Sequence, residues 1–202
     1  MLLDRYWKID EEFFPKNFFY RHYKLVAPDL IGCYLIKKIN DKEQVRGVIV
    51  ETEAYSQEEE ACHGHRKMTE SNKSLFGNPG TFYIYKSYGI HHCLNIVTDK
   101  ENFASGVLIR SVFISKKNER LASGPGLVTK TFSVDISFNS LEVLNNKSLW
   151  ISPRQSTLEE KDLIQTTRIG ISKAKNIKWR WYLKNSRSVS KRLKGDRTPK
   201  FK

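Results

Sequence analysis

The stretch from Arg46 to Tyr55 reads RGVIVETEAY and ends with two carboxylates and a phenol. In an extended strand, side chains two residues apart share a face, so Glu51, Glu53 and Tyr55 point in the same direction. A carboxylate in such a place can orient a water molecule or stabilise a developing positive charge. This face of the strand, the loop from Ala61 to Arg66 and the Tyr-rich segment from Phe82 to Asn95 therefore need a common explanation.

A second segment, TFYIYKSYGIHHCLNIVT, carries tyrosines with the same period. Tyr83 and Tyr85 share one strand face, and the residues from Lys86 to Gly89 have the composition of a hairpin turn. Aromatic pairs on strands usually reflect ordinary sheet packing. A tyrosine in a turn is less easily explained, because turns favour small polar residues, and Tyr88 is therefore a candidate functional residue.

These segments need a sheet to position them. Strands are predicted at residues 33–39, 46–55, 106–113, 167–172 and 179–184 and on both sides of the 86–89 turn. Helices are predicted near residues 17–30 with a new start at Pro28, after Gly124, and at residues 157–164, where Ser156 and Glu159 have capping-box spacing. The predicted fold is α+β: a single domain with a curved, mostly antiparallel sheet, flanking helices and a protruding β-hairpin.

Charge is distributed unevenly along the 202 residues, whose net charge is +13. Residues 173–202 contain twelve Lys and Arg and one acid, Asp196, which leaves 23 basic and 21 acidic residues before them. A basic run with interleaved aromatics attracts a phosphate backbone. We expect one domain over residues 1–190 and a basic tail over residues 191–202, for which disorder is the alternative to DNA contact.

Three widely spaced cysteines, Cys33, Cys62 and Cys93, do not suit a disulfide framework and favour reduced thiols. The longest apolar runs are a handful of residues, so we expect neither a membrane partner nor a signal peptide, and a cytoplasmic location. A zinc-dependent hydrolase is an alternative, since Cys62, His63 and His65 share a loop and residues 91–93 read HHC. Neither segment has the paired spacing of a structural zinc site, and we expect no metal and no cofactor.

RGVIVETEAY, the following His63, FGNPGTFYIYKSYGIHHCLN, GVLIR and SGPGLVTK occur in an order and spacing that resembles the alkyladenine (3-methyladenine) DNA glycosylase family. The similarity extends from about Leu25 to about Ser190 and is weaker at residues 68–74 and after Asn145. It implies a monomeric, monofunctional DNA repair enzyme. Such an enzyme flips alkylated or deaminated purines out of double-stranded DNA and hydrolyses the N-glycosidic bond, leaving an abasic site.

The resemblance also implies roles for individual residues. Glu53 matches the general base that activates water, and Arg110 matches an arginine near that water. Tyr55, His63 and Tyr85 match residues that line the base pocket, whereas Asn95 matches the residue that reads the base edge and disfavours normal purines with an exocyclic amine. Tyr88 matches the wedge that enters the DNA. The absence of a lysine nucleophile on the motif face favours simple hydrolysis over a Schiff-base route.

The loop after His63 departs from the family, because Thr69 to Asn72 replace a TPRN-like segment. We expect the loss of a proline and an arginine to remove a phosphate contact, and Arg66, Lys67 and Lys73 are candidates to supply compensating charge. Lys86, beside Tyr88, is a further candidate phosphate contact, and a solvated surface charge is the alternative for each of the four. Glu51 has no assigned role, and a surface ion pair is expected for it. A module that binds damaged DNA without cutting is the second alternative. Glu53 speaks against that alternative, since a carboxylate near phosphates costs affinity.

Overall fold

The computed structural model describes residues 14–15 and 17–196, which are organised around a single sheet. Its strands are β1 (Tyr34–Lys38), β2 (Gln44–Ser56), β3 (Phe82–Ser87), β4 (His91–Val97), β5 (Ser105–Phe113), β6 (Ala122–Ser123), β7 (Leu149–Ser152), β8 (Leu163–Thr166) and β9 (Arg180–Leu183). The α-helices of the described residues are α1 (Tyr23–Asp29) and α2 (Pro125–Thr131). Single 3₁₀ turns occur at Phe18–Tyr20, Lys73–Phe76, Ile136–Phe138, Glu160–Asp162 and Lys194–Asp196.

Strand β2 is the centre of the sheet. The strand order is β3-β4-β5-β2-β1-β7, with β6 beside β5 and β8 beside β9, and neighbouring strands run antiparallel. At Glu51–Glu53, β2 pairs with β5 on one edge and with β9 on the other. Its register against β5 shifts on both sides of Glu51, which marks a bulge, a feature often found beside active sites. The predicted α+β class with a mostly antiparallel sheet is confirmed.

The main hydrophobic core joins residues of both helices to residues of the strands. Its fully buried members include Tyr23, Leu30, Phe82, Ile96 and Phe132. A second, smaller cluster lies near the loop at residues 61–66 and has Tyr55 and Tyr85 packed against it; its members are Cys62, Leu75, Phe76, Tyr83, Val97 and Ala104. Tyr55 and Tyr85 therefore pack on a small core of their own.

The predicted helix start at Pro28 is wrong. Helix α1 begins at Tyr23, after His22, whose side chain accepts a hydrogen bond from the Lys24 backbone N–H. Pro28 lies near the end of this helix, which stops one residue later. Gly124 precedes α2 as predicted, with Pro125 in the first turn. No helix in the described part of the chain is long and apolar enough to cross a membrane.

Two further predictions fail in the last third of the chain. Residues 157–164 do not form a helix, because β8 begins at Leu163 and pairs with β9, and the capping box is formed by Glu159 and Asp162 around a single 3₁₀ turn. Residues 167–172 are irregular, and not a strand, because their backbone is used elsewhere: the Ile169 N–H donates to Glu53. In both places, contacts with residues distant in the sequence override the secondary structure that the local sequence favours.

The predicted basic tail begins at Lys191, and its residues 197–202 lie outside the described residues. Residues up to Asp196 are held against β9 and the loop that follows it. The Leu193 N–H donates to the Tyr182 hydroxyl at 3.1 Å, and the buried Asp196 accepts from the Asn185 N–H at 3.0 Å. Residues 191–196 therefore pack on the domain, and for residues 197–202 the prediction stays a prediction.

All three cysteines are free thiols in buried positions. Burial raises the pKa of Cys33 to about 12 and that of Cys62 to about 11, and it also raises the pKa of Cys93. Desolvation disfavours the charged thiolate, so these side chains behave as small apolar groups.

The loop that carries His63 depends on a glycine. A Cβ added to Gly64 would overlap the Cβ of Ala104 and lie 3.0 Å from Phe76 Cζ. We expect Gly64→Ala to lower the free energy of unfolding by about 1–3 kcal/mol through overpacking, as measured by urea unfolding. Gly195→Ala, where a Cβ meets nothing within 4 Å, serves as the control. Adding Ala104→Gly to Gly64→Ala should restore part of the loss, and unchanged stability of Gly64→Ala would refute this packing.

Candidate active site

A cavity of about 520 Å³ opens between the end of β2, the β3-β4 pair, β5 and the segment after β8. Six of the seven residues to which the resemblance assigns roles lie on its walls: Tyr55, His63, Tyr85, Tyr88, Asn95 and Arg110. They come from positions up to 55 residues apart in the sequence. The fold therefore gathers them around one space, of a size typical for small-molecule sites.

Glu53 has no exposed surface and lies behind this wall. Its Oε2 accepts hydrogen bonds from the Tyr55 hydroxyl at 2.8 Å and from Arg110 Nη1 at 3.2 Å. Its Oε1 accepts one from the Ile169 backbone N–H at 2.8 Å. All three donors belong to residues that line the cavity. Since a carboxylate offers about four lone-pair positions, one acceptor position remains, and it is on Oε1.

Burial raises the pKa of Glu53 above its ordinary value, because a desolvated carboxylate disfavours charge. The Arg110 charge, the Ile169 N–H and the Tyr55 hydroxyl act in the opposite direction. Burial also raises the pKa of Tyr55, as does the neighbouring Glu53 charge, so the phenol keeps the proton that it donates. A raised pKa makes this carboxylate a stronger proton acceptor than an exposed glutamate.

Glu51 is buried, with no exposed surface, and the expected surface position is wrong. Its Oε1 accepts from Arg180 Nη1 at 2.6 Å and from Ser190 Oγ at 2.9 Å. Its Oε2 accepts from Ser111 Oγ at 2.6 Å and from the Ser190 backbone N–H at 2.7 Å. The expected pairing with a basic residue is present, but inside the protein. The bulge in β2 and the strands on both edges enclose this side chain.

Arg110 connects the two carboxylates. Its Nε lies 3.4 Å from Glu51 Oε1, and its Nη1 lies 3.2 Å from Glu53 Oε2. Both carboxylates thus face the same guanidinium group, as the period of two along β2 requires. Sequence reasoning missed Arg180 and Ser190, which follow Glu51 by 129 and 139 residues and carry no local signal.

Three aromatic rings form one wall of the cavity. The ring centroids of His63 and Tyr85 are 4.2 Å apart with planes at 68°, and those of Tyr83 and Tyr85 are 5.5 Å apart with planes at 29°. His63 Nδ1 is 3.1 Å from the Tyr83 hydroxyl. One side of His63 is open to solvent, yet desolvation on its packed side lowers the pKa of the imidazole. A neutral imidazole is therefore favoured at pH 7.

Tyr55 is supported from behind by a buried ion pair. The Arg168 guanidinium lies 4.6 Å from the Tyr55 ring centroid and binds both carboxylate oxygens of Glu59, at 2.7 and 2.8 Å. Arg168 Nη1 also donates to the Ala54 carbonyl at 2.9 Å. This pair fixes the ring and was not recognised in the sequence, because Glu59 belongs to the acidic run EEE and resembles a solvated charge.

The amide of Asn95 has a defined orientation. Its Nδ2 donates to the carbonyls of Tyr83 at 3.0 Å and Cys93 at 3.3 Å. Since carbonyl groups only accept hydrogen bonds, the amino side of the amide must face them. In the described part of the chain no hydrogen bond uses Oδ1, which leaves an acceptor for a bound molecule.

Tyr88 lies in the turn between β3 and β4 and is 88% exposed. The Ile90 N–H donates to the Ser87 carbonyl, and Tyr88 and Gly89 have φ angles of 50° and 67°. Positive φ at both central residues is the type I′ pattern, which favours glycine, asparagine or aspartate. A tyrosine there costs about 1–3 kcal/mol of local strain, a cost seen mainly at functional positions.

The four candidate phosphate contacts lie in different surroundings. Arg66, Lys67 and Lys86 line a wide groove of about 1100 Å³ that shares His63 and Tyr85 with the cavity. Lys73 is not among the groove residues and pairs with Glu70 at 2.7 Å.

The divergent loop at residues 69–72 is held by the buried Asn72. Its Oδ1 accepts from the Thr69 N–H at 2.7 Å, and its Nδ2 donates to the carbonyls of His63 and Lys67 at 2.8 and 3.0 Å. A side-chain amide therefore braces this loop, although it lacks the proline of the TPRN-like segment.

The histidines and cysteines considered as zinc ligands do not form a cluster. Across residues 14–15 and 17–196, no group of three or more His, Cys, Asp or Glu side chains is arranged to hold a metal ion. The reactive groups brought together are instead a carboxylate, an arginine and aromatic rings. Such a set can position water, stabilise a positive charge and stack against a planar ring.

Comparison with known proteins gives a consistent result. The family described as methylpurine-DNA glycosylase matches residues 17–187. A protein of Trichodesmium erythraeum named "Putative 3-methyladenine DNA glycosylase" is 40% identical over 183 residues, which cover 82% of this chain and 91% of that protein. Proteins with the same name from Carboxydothermus hydrogenoformans and Methanoculleus marisnigri are 40% and 36% identical, over 88% of this chain and 98% of each relative.

The raised pKa of Glu53 has a consequence for stability. Between the unfolded and folded pKa values, the unfolded chain has lost a proton that the native state still holds, so stability falls as pH rises through this window. Glu53→Gln removes that ionisation, so we expect the Tm of wild type relative to that of the variant to fall between about pH 4 and about pH 7, whatever the variant loses in hydrogen bonds. The exposed Glu43→Gln is the control. A wild-type Tm that rises relative to that of Glu53→Gln over this range would contradict the dominance of desolvation.

Proposed function

The chain belongs to the methylpurine-DNA glycosylase family, and from this premise we propose that it flips alkylated or deaminated purines out of duplex DNA and hydrolyses their N-glycosidic bonds. The product is an abasic site. The observation that carries the proposal is the buried Glu53, held by three donors with one acceptor position left beside an aromatic cavity. Lesions of the 3-methyladenine, hypoxanthine and ethenoadenine type are the proposed substrates.

Extrusion of the base is assigned to Tyr88. Taking a nucleotide out of the duplex costs a few kcal/mol, and the cost is lowest for damaged pairs. An aromatic ring that stacks in the vacated space offsets part of this cost. The exposure of Tyr88 and its strained turn support this role, since the ring is presented before DNA arrives.

The aromatic wall is the proposed receptor for the extruded base. An alkylated purine that carries positive charge gains about 0.5 to 2 kcal/mol over a ring face, whereas a normal neutral purine gains less. Tyr55, His63 and Tyr85 line the space where the base would stack. The neutral state of His63 adds no charge that would repel a cationic base. Asn95 presents Oδ1 to the edge of the base.

Hydrolysis is assigned to a water bound at the remaining lone pair of Glu53 Oε1. The carboxylate orients this water and stabilises the oxocarbenium character that develops at the sugar. Arg110 and the Ile169 N–H support the ionised form of Glu53. A cationic alkylated base leaves as a neutral purine, so for such a lesion a second carboxylic acid, which O-glycosidases use to protonate the leaving group, is not required. A neutral base such as hypoxanthine leaves as an anion and takes a proton from water.

Simple hydrolysis is favoured over an amine-based route. Lys86 is a lysine of the cavity lining, and it directly follows Tyr85 in β3. Its side chain therefore points to the face of the strand opposite to that of Tyr83 and Tyr85. We further propose that residues 1–190 act as one glycosylase domain, as a monomer, on DNA in the cytoplasm. The net charge of +13 supports attraction to phosphates, and the free thiols suit a reducing compartment.

Loss of the Glu53 carboxylate should abolish hydrolysis and leave binding intact. We expect single-turnover release of base from a duplex with one ethenoadenine, hypoxanthine or 7-methylguanine to fall by about 10³-fold or more in Glu53→Gln. Duplex affinity, measured in parallel, should change by less than about threefold. Release of base by the wild type without alkali-labile sites would contradict hydrolysis. Binding without release on all three lesions would instead support a recognition module.

Removal of the Tyr88 ring should affect extrusion and not chemistry. We expect Tyr88→Ser to slow release from duplex DNA by about 10- to 100-fold, because the vacated stack is no longer filled. A single-stranded oligonucleotide with the same lesion needs little unstacking and serves as the internal control. Equal rates for wild type and Tyr88→Ser on the duplex would eliminate the wedge assignment.

A further inference from the structure

Glu51 and Glu53 share one strand face but differ in how their oxygens are used. Glu51 accepts four hydrogen bonds, two on each oxygen, so its lone-pair positions are filled. Glu53 accepts three and keeps one position. Glu51 therefore has no free acceptor for water, and its contacts are those of an anchor.

Ser190 makes two of the four hydrogen bonds to Glu51, through its hydroxyl and its backbone N–H. Because the hydroxyl proton is directed to Glu51, the lone pairs of Oγ are available to accept. Arg110 Nε donates to this oxygen at 3.1 Å. Ser190 thus links the saturated carboxylate to the arginine that contacts Glu53.

The segment around Ser190 is held rigidly. Arg120 donates to the carbonyls of Arg187, Val189 and Ser190 at 3.2, 2.7 and 3.2 Å. Arg180 donates both to Glu51 and to the carbonyl of Lys191, at 2.9 Å. Val189 is buried in a cluster with Tyr182 of β9. The Ser190 hydroxyl is therefore fixed from both sides along the backbone.

We infer that Ser190 is a positioning residue for the proposed glycosylase reaction: it aims the Arg110 guanidinium at Glu53 by holding Nε, with Glu51 as its anchor. This inference rests on the proposed function. Arg110 has several rotatable bonds, and its described contact with Glu53 is a single hydrogen bond through Nη1. Ser190 lies three residues beyond the segment that the family matches.

The test compares two serine-to-alanine changes in the same segment. Ser190→Ala removes the hydroxyl that links Glu51 to Arg110 but keeps the backbone N–H. Ser188→Ala is the matched control, since Ser188 Oγ is buried with no hydrogen-bond partner in the described residues. Ser190→Thr retains a hydroxyl and tests rescue. Single-turnover release of base from an ethenoadenine duplex, duplex affinity and thermal unfolding are measured for all.

We expect Ser190→Ala to slow base release by about 10-fold with affinity within about twofold of wild type, because a displaced Arg110 no longer orients Glu53. Ser188→Ala should match wild type, and Ser190→Thr should recover most of the rate.

The acid limb of the pH-rate profile should move to higher pH in Ser190→Ala, since the Arg110 charge opposes the rise in the pKa of Glu53. The charged and titratable groups that face Glu53 are Glu51 and Tyr55 on β2, Tyr85 on β3, Cys93 on β4, Arg110 on β5 and, through Glu51, Arg180 on β9.

The possible outcomes distinguish the role of Ser190 from the proposed function. An active wild type with equal rates and equal acid limbs for Ser190→Ala and Ser188→Ala overturns the role of Ser190 and leaves the proposed function standing. A fall in rate that Ser190→Thr does not recover, with an unmoved acid limb and a lower Tm, indicates a merely structural serine and also overturns it. A wild type that releases no base from any lesion overturns the proposed function, and the role of Ser190 with it.

Discussion

The burial of two carboxylates on one strand is the constraint on which the rest of the structure depends. An uncompensated charge in a protein interior is costly, and removing one partner of a buried ion pair typically costs about 3–5 kcal/mol. Glu51 and Glu53 are compensated by Arg110 from β5 and Arg180 from β9. The fold is therefore stable only when these strands and the segment around Ser190 converge on the centre of β2. Assembly of the sheet and assembly of the site are one event.

The two carboxylates of this arrangement differ in their hydrogen bonding, although they belong to the same residue type. Glu51 has every acceptor position filled and joins three parts of the chain. Glu53 has the same chemistry but an incomplete set of donors, which leaves it capable of binding a further molecule. A similar division holds behind the cavity, where Glu59 neutralises Arg168 and together they brace Tyr55. In both places a paired charge holds a side chain to which the proposed reaction assigns a role.

Local patterns in the sequence predicted the parts of the fold whose causes are local. The period of two along β2, the turn composition at residues 86–89 and the Gly124-Pro125 helix start all have short-range causes, and each appears in the structure. The burial of Glu51, the strand β8 and the ion pair of Glu59 with Arg168 depend on partners more than ten and up to 139 residues away. One sequence without its relatives contains no signal for such pairs. The family resemblance identified the residues of the candidate site one by one. It did not indicate that Glu51 would have all its acceptor positions filled by hydrogen bonds.

The three buried thiols have a bearing on where such a protein can work. Purines become alkylated when electrophiles are abundant, and the same reagents attack cysteine in its thiolate form. Cys33, Cys62 and Cys93 are enclosed, and their raised pKa values keep them protonated at pH 7. Cys93 even lines the cavity itself. Because the thiolate is the nucleophile, we expect these three side chains to be poor targets for the reagents that alkylate purines.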